Sequence, residues 1–528
     1  MSGLREERLT WIYEVGALLV LFGLAGFLYL YHLETYPVTW WDEGKFFQIP
    51  KNLVLHGKYA TLSSEGFRPF AVYGTGPAVL LPIALAFRGF GIGFLQARVT
   101  MVLFSLGAIV SFYVVARRLY GVWAGLTASF LLLLVVYDPF TSIVFLGRQV
   151  LGEVPAFFYL MLGTAIWIRT RQRSSILPLI ASGVIWGLSV LAKWIFLMIV
   201  PALIVLLIAD RVYFRRLRWR HFLIPLLLIG LMVGGWLATM RLTLGGEGMG
   251  EILAQTQENS TSNVFFLSLG SIWSGVKFLL TSRFLVWGLP GLIYVLLLGL
   301  SRRKEWGPAE WLLPVLTGGW LVWYVFLSLG WSRQAFVPTA ISQIFLGKLL
   351  VDLSAAFALS LGRLVDVLFE GEEPRPRAGA FSRDTRVLQG VSVVVMTLAL
   401  LAASPFDLVK GIVGEQDDSP QAFAAYLEEH VPKDALVESY EYELDIFTDH
   451  LYHHPPEPLV TLATKHVYAG EPYPDGFYDF LALEPAYLVV GPFAKWTEIY
   501  PSDLIEQRMV KIESIGEYDL YGVRSEYE

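Results

Sequence analysis

The sequence predicts an α-helical polytopic membrane protein with about eleven transmembrane helices, closed by a small extracytoplasmic α/β or α+β domain. Three observations predict it. Of 528 residues, 55% are hydrophobic and 16% charged, with a mean hydropathy of +0.54; a soluble chain would carry nearer a quarter charged. Apolar runs of roughly 17 to 22 residues, the length that crosses a bilayer, recur along the chain. Charge is unevenly divided: residues 405–528 hold 25 acidic and 7 basic residues, net −18, and the part before them is net +12, against −6 for the whole. That split predicts a membrane body, 1–404, and an acidic domain, 405–528.

The first apolar run, Trp11 to Tyr31, follows the polar start MSGLREER. No small-residue cleavage site follows it, so it reads as a retained helix. Further runs lie at 98–116, 122–137, 150–168, 176–191, 194–209, 221–240, 281–300, 310–329, 335–356 and 387–404. Arginine-rich connectors alternate between them: Arg5/Arg8, Arg117/Arg118, RTRQR at 169–173, DRVYFRRLRWR at 210–220, SRRK at 301–304 and the stretch Arg363 to Arg386. Positive charge stays in the cytoplasm. The N-terminus is then inside, and the loops 32–97, 138–149 and 241–280 and the tail 405–528 are outside. Loop 32–97 is too long for a simple turn and mixes aromatics with Pro, Gly and Lys, which predicts short amphipathic helices in the interface. Residues 370–386 read as a charged linker. In the tail, FAAYLEEHVPKDALVES predicts a helix, a turn and a strand, and AYLVVGP and YDLYGVRS two more strands.

Chain chemistry centres on TWWDEGKFF, residues 39–47. Asp42 and Glu43 stand side by side between a Trp pair and a Phe pair. A solvated acid pair in a loop is the plain reading. Against it, an unpaired carboxylate close to a bilayer is costly, and other ionisable groups fall at the same predicted face: Arg148, Glu153, Lys193, Arg241, Arg283 and Arg333. Arg148 and Glu153 make either a helix-capping ion pair or an anion site beside an active-site acid. Lys193 either snorkels or faces the same cavity. Carboxylates with several cations suit transfer from a phosphate leaving group. The acid pair with Glu153 also offers oxygen ligands to a divalent ion, although cations alone can neutralise a monophosphate, so no cofactor is expected. The histidines of DHLYHH, 449–454, are spaced irregularly and read as a surface loop, not a zinc site. With no cysteine, disulfides and thiolate chemistry are excluded.

Four stretches now carry a resemblance: WDEG (41–44), LVLHGKYA (53–60), RPFAVYGTGPAVLLPIALAFRGFG (68–91) and ARVTMVLFSLGAIVSFYVVARRLYG (97–121). Together they resemble the start of the GT-C polyprenyl-phosphate-sugar glycosyltransferases, within them the protein O-mannosyltransferase and lipid A aminoarabinose transferase family. RQVLGEVPAFF (148–158) is similar to that family's Arg-x-x-x-x-Asp segment, with Glu153 in place of the aspartate. LAKW (191–194) resembles its Thr-Lys-Gly turn, and WSRQAFVPTAISQIFLGKLL (331–350) the basic-then-proline approach to a late span. The likeness covers roughly 10–210 and, more weakly, 330–350. It implies a polyprenyl-phosphate-linked sugar donor, undecaprenyl or dolichyl, and a protein, lipid or glycan hydroxyl acceptor. It further implies Asp42 as catalytic base and chemistry at the outer face, with no nucleic-acid partner. Two other classes compete. A transporter or lipid flippase would show matched halves with broken helices, and no internal repeat is visible. A purely structural membrane protein leaves Asp42, Glu153 and Lys193 unexplained.

Overall fold

A computed structural model describes residues 2–70, 74–170, 175–282, 284–369, 406–414, 416–456 and 458–524. The expected span 387–404, the linker 370–386, the 404/405 boundary and Arg283 lie outside the described residues. The other ten expected spans fall on helices. In order, the elements are α1 Ser2–Leu30, α2 Trp41–His56, β1 Ala60–Ser63, β2 Gly66–Pro69, α3 Pro77–Phe90, α4 Phe94–Tyr120, α5 Val122–Leu134, α6 Ile143–Gly147, α7 Glu153–Arg169, α8 Leu177–Ala192, α9 Ile199–Ala209, α10 Arg220–Asn263, α11 Leu269–Thr281, α12 Phe284–Ser301, α13 Pro308–Leu327 and α14 Phe336–Phe369. Beyond them come α15 Phe406–Val413, α16 Ser419–His430, β3 Val437–Ser439, α17 Leu444–Phe447, β4 Tyr452–His453, α18 Pro458–Ala469, β5 Tyr487–Val490, α19 Pro492–Thr497, α20 Ser502–Arg508, β6 Met509–Ile515 and β7 Tyr518–Val523. Among the described residues, six helical stretches are long and apolar enough to cross a membrane, and shorter apolar helices accompany them. The chain is a multi-pass membrane protein.

The first loop forms the short helices α2 and α3, and one loop expectation, for 241–280, is corrected. α2 buries ten of its sixteen residues, and α3 is apolar enough to bury Val79, Leu80 and Ile83 fully in the bundle core. The region 241–280 is not a loop: α10 runs on to Asn263, turning at Gly245 with φ 74°, and α11 follows. A left-handed backbone there suits glycine.

The C-terminal domain is a five-stranded mixed sheet ordered β4-β3-β5-β7-β6. β4, β3 and β5 run parallel; β7 and β6 run antiparallel. Helix 419–430, strand 437–439 and the strands at 487–490 and 518–523 lie where the sequence places them. The histidines do not: His450, His453 and His454 are buried. His453 binds Glu438, and His454 binds the Ser439 carbonyl and Asp445. They join the sheet edge to its neighbours instead of forming a surface loop.

This domain sits on α2 itself. Trp41 belongs to its apolar core, stacked on Phe493 at 4.7 Å and edge-on to Tyr442 at 5.1 Å. Burying a ring of this size contributes on the order of 4 kcal/mol. At Gly44 a Cβ would stand 2.1 Å from the Tyr442 carbonyl oxygen, so only glycine permits the approach. Trp41 and Gly44 thus bring the C-terminal domain onto α2 on either side of Asp42 in sequence.

Candidate active site

Asp42 and Glu43 occupy the first turn of α2, where the helix dipole favours carboxylates. Neighbours on a helix point about 100° apart, and these two part company completely. Glu43 turns inward and is fully buried. Its Oε1 accepts from Arg98 Nε at 2.9 Å and from the Val150 amide at 3.0 Å, and its Oε2 accepts from Arg98 Nη2 at 2.7 Å. Arg98 also donates to the carbonyls of Leu33 and Pro37.

Arg148 completes this inner clamp. Its guanidinium, fully buried, donates to the carbonyls of Tyr36, Leu28, Tyr31 and His32. The expectation that Arg148 binds an anion or pairs with Glu153 is corrected: its donors are spent on the turn between α1 and α2. Glu43, expected beside Asp42 in the site, likewise belongs to the clamp.

Asp42 turns the other way. Its Oδ2 accepts from Arg333 Nη1 at 2.5 Å. Arg333 Nε lies 3.2 Å from Glu153 Oε1, which also binds Lys193. Four charges, two of each sign, thus form one network. Each sits at the end of an element: Asp42 opens α2, Glu153 opens α7, Lys193 follows α8, and Arg333 lies in a 3-10 turn before α14. The side chains of Asp42, Arg333 and Lys193 are 20%, 22% and 19% exposed, and that of Glu153 is 5%. Solvent therefore reaches the cluster, unlike the clamp.

Burial by itself raises the Asp42 pKa, but the Arg333 guanidinium, helped by Lys193 and Lys45, outweighs it and holds the carboxyl below the usual range. Glu153 Oε2 is buried with no hydrogen-bond partner among the described residues, and so is Thr75 Oγ1. Thr75 lies by the same turn: Gly76 donates its amide to the Ala192 carbonyl at 2.9 Å, next to Lys193. A Cβ added at Gly152, just before Glu153, would lie 3.2 Å from Thr75 Oγ1. Buried polar atoms left unmatched are costly, and these two converge on the cluster.

Arg241 is exposed on α10, and the ion pairs of the cluster do not include it. Among the described residues, no three His, Asp or Glu gather as metal ligands. Of the three carboxylates that could offer oxygen ligands, Glu43 turns away from Asp42 and Glu153, and Arg333 stands between the remaining two. Sequence reasoning passed over Arg98. Its signal was present: an arginine at the start of the apolar run 98–116, the same kind of misplaced charge that marked Glu153.

Neither a family model nor a curated protein sequence matches the chain. Solved structures do. The crystal structure of ArnT from Cupriavidus metallidurans bound to undecaprenyl phosphate superposes with a TM-score of 0.61 at 16% identity, covering 97% of each chain. Its apo state gives 0.59, also at 16% identity, over 98% of each chain. The apo oligosaccharyltransferase of Archaeoglobus fulgidus gives 0.59 at 12% identity, over 91% of this chain and 69% of the other. The chain is similar to these structures over 91 to 98% of its length and has the GT-C fold that residues 10–210 resemble in sequence.

Proposed function

We propose that the chain is an integral membrane glycosyltransferase that moves a sugar from a polyprenyl-phosphate donor to a hydroxyl acceptor. The observation that carries this is the single network of Asp42, Arg333, Glu153 and Lys193, assembled from four distant segments at the domain-bearing end of the bundle. That the similar ArnT structure holds undecaprenyl phosphate supports the donor class.

The chemistry follows from the partners. At rest Arg333 neutralises Asp42 and Lys193 neutralises Glu153. A donor phosphate draws both cations to its oxygens, which frees the Asp42 carboxylate. An acceptor hydroxyl then attacks the anomeric carbon. Its proton passes to Asp42, the new C–O bond forms, and the bond to the phosphate oxygen breaks with its electron pair on the lipid phosphate. Arg333 and Lys193 stabilise that growing charge. One displacement inverts the anomeric centre. Glu153 Oε2 accepts a hydrogen bond from a sugar hydroxyl, which meets its unmatched state. No metal is required by this scheme.

Asp42→Asn keeps the shape and removes the basicity. Transfer by the purified variant should fall by ~10² to 10⁴, with donor binding retained; full turnover would end the proposal. The orientation completes the reading: the cluster and the C-terminal domain face outside. With no native cysteine to interfere, a cysteine replacing the exposed Ser64 on the first loop should react with an impermeant thiol reagent in whole cells. Labelling only after the cells are broken would reverse the orientation.

A further inference from the structure

Beside the cluster, four aromatic rings form a connected series. Trp331 lies 4.9 Å from Tyr468, Tyr468 lies 5.7 Å from Trp496, and Trp496 lies 6.2 Å from Trp40, centroid to centroid. They come from three places: Trp40 precedes α2, Trp331 precedes the Arg333 turn, and Tyr468 and Trp496 belong to α18 and α19 of the C-terminal domain. Tyr468, Trp496 and Trp40 are 45%, 42% and 37% exposed.

The series begins at the reactive charges. The Arg333 guanidinium carbon is 5.8 Å from the Trp331 ring centre, and Trp40 stands two residues before Asp42. Tyr468 senses both charges: desolvation pushes its hydroxyl up to about 12, with Asp42 adding to the shift and Arg333 opposing it. The Trp331 indole N–H is buried with no hydrogen-bond partner among the described residues. Trp40 and Trp496 each pack against Phe493 of the core, at 5.8 and 5.6 Å, and leave the rest of their ring surface to solvent. Contiguous exposed rings at such a place mark a binding surface.

We propose that this series is an acceptor subsite and that it holds pyranose rings of a carbohydrate acceptor, placing one sugar hydroxyl at Asp42. The inference rests on the glycosyl-transfer reading. Aromatic faces carry negative charge and suit the polarised C–H face of a pyranose. Successive centroids 4.9, 5.7 and 6.2 Å apart make one contiguous aromatic surface wide enough for a pyranose ring. A peptide acceptor would call instead for an open strand edge or an apolar groove.

Two measurements on the full chain in nanodiscs test this. In the first, soluble tetrasaccharides of glucose, mannose, galactose and N-acetylglucosamine are screened by saturation-transfer NMR. At least one should bind through its ring C–H protons. Trp496→Ala with Tyr468→Ala should weaken that binding by about tenfold or more, whereas Trp496→Phe and Tyr468→Phe should keep most of it. Asp42→Asn, which removes the basicity but keeps an amide oxygen in place, should retain most of the binding while transfer falls, so failure of the subsite and failure of the catalytic reading separate. Binding by none of the four, or binding indifferent to the ring deletions, overturns the proposal. In the second, acyl-brominated lipid is used as quencher, and Trp496 is isolated as the difference between wild type and Trp496→Phe. Its fluorescence should be unaffected; quenching would make the rings an interfacial lipid anchor and also overturn the subsite.

Discussion

Glu43 and Asp42 are consecutive residues, and each meets an arginine. Their settings differ in every respect that matters. The Glu43–Arg98 pair is dry, and each partner has further hydrogen bonds to backbone, with Arg148 holding the same turn. The Asp42–Arg333 pair is about one-fifth exposed and linked through Glu153 and Lys193 to two unmatched oxygen atoms. In the first arrangement every side-chain nitrogen and oxygen has a partner within the protein. The second is balanced in charge yet incomplete in hydrogen bonds, so a ligand can exchange partners with it. Burial and the completeness of hydrogen bonding separate the two pairs, whereas charge and sequence position do not.

Crossing the two acids gives the strongest test of this contrast. Glu43→Gln removes the charge opposite the buried Arg98. Leaving one member of a buried pair uncompensated costs about 3–5 kcal/mol, so thermal unfolding in detergent should occur at clearly lower temperature. Asp42→Asn should hardly move it, since pairs near a solvated surface contribute little. Similar losses of stability for both variants would erase the distinction.

A smaller effect is expected at Arg333. Arg333→Gln removes one charge-assisted contact to the donor phosphate, worth roughly 1.5–3 kcal/mol. The donor KM should rise by about ten- to a hundredfold. The acid limb of the pH–rate profile should shift as well. In the wild type the depressed Asp42 pKa keeps the carboxylate ionised as pH falls, until the pH passes below the usual carboxylate range. Without Arg333, desolvation prevails and raises that pKa, so activity should be lost at a higher pH. An acid limb that stays in place would show that Asp42 is not the titrating base. In both variants the unfolding temperature separates a lost fold from a lost function.

Much of the molecule was open to a reader of the sequence alone. Hydropathy marks ten helices, because a lipid solvent demands long apolar runs whatever their partners. The acidic tail and its strand signals mark the second domain. Asp42, Glu153, Lys193 and Arg333 could be picked out because a charge near a bilayer needs a reason. Other features depend on contacts between distant segments. Nothing local distinguishes Asp42 from Glu43; the turn of α2 sends one to Arg333 and the other to Arg98. Arg148 looked like an anion ligand until four backbone carbonyls, all before residue 37, claimed its donors. DHLYHH looked like a loop because its buried partners, Glu438, Ser439 and Asp445, are set by sheet pairing. Trp40 and Trp496 are separated by most of the chain and meet because the domain packs on α2 through Trp41 and the close approach at Gly44. Composition and periodicity determined which residues are apolar, which are charged and where helices run, since those depend on solvent and on neighbours along the chain. Which charges pair, and whether their hydrogen bonds are complete, was decided by tertiary structure alone, because hydrogen-bond partners are chosen by distance in space.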